Sequence, residues 1–167
     1  MEERNKIFNI YLAAPIVNIT EKQKEQINKI KDILNIFHEH NLINLYDPKK
    51  HGVPNAWGMP MNEWCRCIFT LDVVAIDNSD WVIVCDYGRQ GTAGTAWECG
   101  YAFGKGKKVL IIQMNEWDDT PEYSVMMQGC SSNYCTFKDF IKDVSEKHFF
   151  GKLLVERGRL PQEQNLN

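Results

Sequence analysis

The chain has 167 residues, 44% of them hydrophobic and 25% charged, with a net charge of −3 and a pI near 5.8. That length accommodates one domain with a full hydrophobic core, expected to take in residues 1–167, and the composition excludes a disordered or membrane-embedded chain. The acidic balance offers no basic footprint for a phosphate backbone, which argues against polymeric nucleic acid as a partner.

No apolar run approaches the roughly 18 residues of a membrane span. The opening residues, MEERNKIFNIYLAAP, show no signal-peptide cleavage pattern, so a cytoplasmic protein without membrane contact is expected. The six cysteines are expected to be reduced thiols, because a chain with this much core has no need of a disulfide framework. No metal site is indicated: Cys65 and Cys67 form the one close pair, and His38, His40, His51 and His148 are scattered without zinc spacing.

In chain order, IFNIYLAAP is a short β-branched and aromatic run stopped by Pro15 and predicts a buried strand. Thr20 and Gln23 have capping-box spacing, and Ile27, Ile30, Leu34 and Phe37 recur at helical steps, predicting an amphipathic helix with a lysine-rich outer face. LINLYDP supplies a second strand, ended by Asp47 and Pro48. The loop that follows carries Trp57, an aromatic that either packs the loop down or lines a ligand pocket. A helix is predicted over 62–77 with Trp64, Ile68 and Asp72 at i, i+4 steps, and Asp72 belongs at the edge of the buried face or in a polar cavity.

WVIVCDY reads as a strand covered on both faces. A glycine-containing loop, a helix to about Phe103 stopped at Gly104, and the apolar run KVLIIQM complete a βαβ unit. A polar region, a last helix in FKDFIKDVSEKHFF and a partly ordered tail over 151–167 finish the chain. Alternating strand and helix signals indicate an α/β fold with an open, mostly parallel sheet.

In such sheets ligands bind beyond the carboxyl ends of the strands, which draws attention to AAPIVN after the first strand and DYGRQGTAG after the third. Glu98 follows the second of these, in the expected opening turn of its helix. Two readings stand side by side. Thr95 and Glu98 fit a T-x-x-E capping box, which would spend the carboxylate on backbone amides. Alternatively, the helix N-terminus holds Glu98 ionised while Gly91, Ala93, Gly94 and Ala96 leave room for a ligand, and an accessible carboxylate can attack carbon. Gly100, costing about 1 kcal/mol relative to alanine inside a helix, suggests close approach to a strand or to another chain.

The stretch AGTAWECGYAFGKGKKVLI, together with the tyrosine of IYLAAP and with Trp64 and Asp72 upstream, closely resembles the nucleoside 2-deoxyribosyltransferase family over about residues 8 to 133. The resemblance implies a flavodoxin-like fold with helices on both faces, and double-displacement transfer of 2-deoxyribose between nucleobases. It makes Glu98 the nucleophile that carries the sugar as an ester, Tyr11 the group that orients it, and Asp72 a carboxylate that helps hold the sugar. Trp64 falls where the family sets an aromatic against the base, and Ala14, Pro15, Thr92 and Gly94 lie in the matching substrate loops. The implied partners are nucleosides and free bases, with no metal or organic cofactor. A homo-oligomer is implied too, with Ser124 and Met126 lent to a neighbouring subunit's site.

Two departures keep alternatives open. Thr92 stands six residues before Glu98, where family members commonly carry an aspartate that helps protonate the base; threonine cannot supply that proton, and Asp86 is a conceivable substitute. Ser124, Val125 and Met126 replace an N-L-M sequence, and a serine there resembles hydrolases of (deoxy)nucleoside 5′-monophosphates, although no arginine cluster beside the first loop awaits a phosphate. An N-glycoside hydrolase is therefore the alternative reading, and a non-catalytic nucleotide-binding module a third.

Overall fold

The computed structural model describes residues 7–88, 93–115 and 124–145. Strand β1 (Phe8–Ala13) leads to helix α1 (Glu21–Glu39), whose start is fixed by the expected capping box. Gln23 N donates to Thr20 Oγ1 at 3.2 Å, and Thr20 N to Gln23 Oε1 at 2.9 Å. Strand β2 (Ile43–Tyr46), a 3-10 turn at Pro48–Lys50 and helix α2 (Met61–Asp77) follow. Then come β3 (Trp81–Asp86), α3 (Ala93–Gly104), β4 (Lys108–Gln113), α4 (Val125–Gly129), β5 (Asn133–Thr136) and α5 (Phe137–Ser145).

The five strands form one sheet in the order β2-β1-β3-β4-β5, and every pairing is parallel. This is the flavodoxin-like arrangement, with the change of winding direction between β1 and β3. Alternation along each strand splits the core in two. Ile10, Leu12, Ile83, Leu110 and Ile112 face α1 and α5, where Ile30, Leu34 and Phe140 are fully buried. Tyr11, Ala13, Val82, Val84, Val109 and Ile111 face the other way, against Ile76 of α2, Cys99 and Ala102 of α3, and Met127 of α4. All six cysteines are free thiols. Among the described residues no helix is long and apolar enough to cross a membrane.

Several local expectations change. The region after β4 contains α4 and β5, which the sequence reading passes over because NYCT is short and polar and is a strand only through its pairing with β4. Helix α3 ends at Gly104 as expected, and Gly106 beyond it, with φ +69°, takes the left-handed conformation that closes it. A Cβ at Gly100 would meet nothing within 4 Å, so among the described residues no strand approaches it closely. Thr92, Gly91 and the tail over 151–167 lie outside the described residues.

The centre of the sheet carries the stability. Ile83→Ala, at a side chain with no exposed surface, is expected to cost about 2–5 kcal/mol, read as a lower urea midpoint at unchanged m-value.

Candidate active site

Three elements bring one polar group each to a common point. Tyr11, in β1, is fully buried on the α2/α3 side of the sheet, and its hydroxyl donates to Glu98 Oε1 of α3 at 2.9 Å. Asp72, from α2, is half-buried and close enough to both for its charge to act on them. The sequence expected Tyr11, Asp72 and Glu98 to act together, and the fold assembles them from positions 87 residues apart at the extremes of the Tyr11–Glu98 bond.

The capping-box reading of Glu98 fails by position. Helix α3 begins at Ala93, so Thr95 is a buried residue of the first turn and Glu98 falls in the second, bonded to a phenol from across the sheet. The expected effect of the helix N-terminus on its charge is also corrected. Burial pushes the Glu98 carboxyl up to about 7, with the Tyr11 hydroxyl opposing the rise and the Asp72 charge adding to it. Its folded value thus lies above its unfolded one. Any stability the protonated group lends is complete below about 4.5 and is lost as pH rises through about 7. Burial likewise raises Asp72, against the Tyr11 hydroxyl and His51, and raises the Tyr11 phenol well above its ordinary range.

Chemically, this is a carboxylate balanced between its two forms near neutral pH, held in direction by a hydroxyl that stays protonated. Such a group can attack an electrophilic carbon and later leave it.

The remaining predicted residues are spread more widely. Ala14 packs against the core on the α1 side and Pro15 is buried. Gly94 is the second residue of α3, with open space where a Cβ would be. Trp64, in the first turn of α2, lines a separate apolar hollow of about 360 Å³ with Ala56, Trp57, Met59 and Met61. It stands eight residues before Asp72, about 12 Å along the helix axis at 1.5 Å per residue. Trp57 is fully exposed, so it does not pack its loop down. Ser124 precedes α4 as its N-cap residue, and Met126 of that helix is 82% exposed.

Asp86, the conceivable substitute acid, is spoken for. It is 1% exposed, and its Oδ1 accepts from Gly88 N at 2.7 Å and its Oδ2 from Gln128 Nε2 at 3.0 Å. With the Ser124 amide also bonded to it, Asp86 ties the end of β3 to α4 and is not free to serve a ligand.

Two site neighbours were missed by sequence reasoning. Tyr46 is the register partner of Tyr11 in the parallel pair β1/β2, and their rings stack with centroids 5.5 Å apart. His51 in turn stacks on Tyr46 at 4.2 Å and 5°. The only available signal was the paired tyrosines, which become neighbours once the strand register is known.

The opposing influences on Glu98 have a measurable consequence. Carboxyl-carbon NMR of the labelled glutamate is expected to show titration near 7 in the native protein. Tyr11→Phe removes a contact that favours the anion and moves the titration to higher pH, whereas Asp72→Asn removes a like charge and moves it lower.

Comparison with known proteins bears on this arrangement. Among solved structures, the chain is similar to a 2-deoxyribosyltransferase from Bacillus psychrosaccharolyticus at 23% identity and TM-score 0.62, covering 90% of this chain and 98% of that one. It is also similar to a CMP N-glycosidase from Clostridium botulinum, at 23% identity and TM-score 0.50, with 81% and 96% covered. A conserved protein from Enterococcus faecalis V583 gives 16% identity and TM-score 0.57, with 85% and 99% covered. At these identities the likenesses show the fold. No curated protein matches. The family model for nucleoside 2-deoxyribosyltransferases matches residues 10–149, which take in Tyr11, Asp72 and Glu98, and the chain belongs to that family.

Proposed function

We propose that the protein transfers 2-deoxyribose between nucleobases, taking nucleosides and free bases as substrates without a cofactor. The family's enzymes make or cleave bonds of this class, and the observation that carries the finer reading is the Tyr11–Glu98 hydrogen bond of 2.9 Å beside Asp72. Glu98 attacks the anomeric carbon as the C1′–N bond breaks and its electron pair leaves with the base. The sugar remains as an ester on Glu98 until the nitrogen of a second base displaces it, returning the carboxylate. Tyr11 aims the attacking oxygen, and Asp72 holds a sugar hydroxyl. Exchange of this kind would serve nucleoside salvage.

Hydrolysis of a nucleoside 5′-monophosphate is the second reading, favoured by Ser124. This residue heads α4 without capping it through its side chain. It predicts base release without an acceptor, accelerated by a 5′-phosphate.

The test is intact mass spectrometry after exposure to a 2′-deoxynucleoside, followed by addition of a different base. A deoxyribosyl adduct on the native chain, absent from Glu98→Gln, and a new deoxynucleoside on addition of the base are expected. Full activity in Glu98→Gln would refute the proposal.

The working unit is proposed to be a homo-oligomer. Helix α2 buries only Ile76, while Phe69, Leu71 and Val74 are exposed. Trp97 of α3, against which Phe69 packs at 5.1 Å, and Met126 of α4 extend this apolar surface, since α3 contacts both neighbouring helices. Contiguous apolar surface of this kind marks an interface. Sedimentation is expected to give a multimer. If Met126 completes a neighbour's site, mixing inactive Glu98→Gln with inactive Met126→Asp restores part of the activity, because each mixed pair contains one intact site. No recovery in mixed oligomers would refute the sharing.

A further inference from the structure

A purine leaves a sugar as an anion unless a proton reaches it, and a positioned acid is the usual remedy. The described groups around Glu98 offer few donors. Tyr11 has committed its proton to Glu98, burial raises the phenol of Tyr46, and Asp86 is buried and tethered. The stretch Arg89, Gln90, Gly91, Thr92 ahead of α3 contains neither a carboxyl nor an imidazole group.

We propose that His51 is a catalytic residue, the general acid that protonates a departing purine and the base that accepts a proton from the incoming one; the assignment rests on the proposed function. Its imidazole lies flat on the Tyr46 ring at 4.2 Å, and Tyr46 lies on Tyr11 at 5.5 Å, so the stack runs from the Glu98 partner outward to an exposed histidine. Stacking fixes the ring's face and leaves its nitrogen-bearing edge open. Among the described residues no hydrogen bond engages either nitrogen. His51 is also near enough to Asp72 for its charge to act on that carboxyl.

The loop that carries His51 is built to hold it still. Asp47 is 4% exposed, accepts from Lys49 N at 3.1 Å and pairs with Lys31 Nζ of α1 at 2.9 Å. His51 N closes the 3-10 turn by donating to Pro48 O at 3.1 Å. A buried ion pair and two backbone closures therefore set the position of an otherwise exposed side chain.

In the forward step the C1′–N9 bond breaks, its electron pair passes into the purine, the imidazolium proton moves to N7, and a Glu98 oxygen bonds to C1′. In the return step the neutral imidazole takes the ring N–H proton of the acceptor base as that base's nitrogen bonds to C1′ and Glu98 leaves. Histidine suits both directions because its ring nitrogens donate a proton in one form and accept one in the other.

The experiment measures single-turnover base release from 2′-deoxyadenosine and from 7-methyl-2′-deoxyguanosine by the native protein, His51→Asn and Glu98→Gln. The methylated purine already carries the positive charge that protonation would supply and leaves without an acid. His51→Asn is expected to slow 2′-deoxyadenosine about 100-fold or more while leaving the methylated substrate within about threefold of native. Equal slowing of both, as a positioning or folding role would give, overturns the assignment, as does no slowing of either. Glu98→Gln is expected to lose both substrates. If it keeps both, the proposed function fails whatever His51 does, whereas a native protein that releases pyrimidines but neither purine overturns His51 alone.

Discussion

A single hydrogen bond, from a phenol sealed inside the sheet to a carboxylate on the helix above it, organises this protein. Tyr11 has no exposed surface, so its hydroxyl can point in only one direction, and the Glu98 carboxylate it meets is denied most of its hydration. Burial of an acid is costly, and the bond offsets only part of that cost. The remainder appears as a carboxyl that titrates near neutrality. A surface glutamate would be fully ionised but undirected; one deeply buried without a partner would stay protonated.

The rest of the fold supports that compromise. One face of the sheet, closed by α1 and α5, is packed with aliphatic, aromatic and sulfur-containing side chains and supplies stability. The opposite face carries Tyr11, and the helices that cover it carry Asp72 and Glu98. Loops at the carboxyl ends are tied down individually. Tyr87 binds the turn after β3 to α1 through Gln23 O and Gln26 Oε1, each at 3.1 Å. Asp86 secures α4, and Asp47 secures the turn before His51. Each anchor is a buried polar group with its partners supplied, which fixes these residues to the frame.

Helix α2 departs from this pattern. Its last turn packs on the sheet through Ile76, yet most of its length is exposed and apolar. An isolated soluble domain gains nothing from such a helix. In the proposed homo-oligomer, the same surface would both stabilise the helix that bears Asp72 and bring another subunit's side chains towards the site.

Much of this was written locally. The capping box at Thr20, the apolar runs of β1, β3 and β4, and the helical periodicity of α1 identify the elements because each uses only contacts within a few residues. Tyr11, Asp72 and Glu98 were legible as a group through their resemblance to a family. Four features were not. The start of α3 depends on where the preceding loop ends, so T-x-x-E spacing misplaced Glu98 by about one turn. Strand β5 exists only because the edge of β4 accepts it. Asp86 changed from a candidate acid to an anchor once Gln128 was brought to it from 42 residues away. His51 acquired a place beside the site only when parallel pairing set Tyr46 against Tyr11. Sequence determined the elements with strong local signals and the candidate reactive side chain, since propensity and side-chain chemistry are local properties. Tertiary structure decided the charge state and the neighbours of that side chain, because desolvation and contact arise from residues distant along the chain.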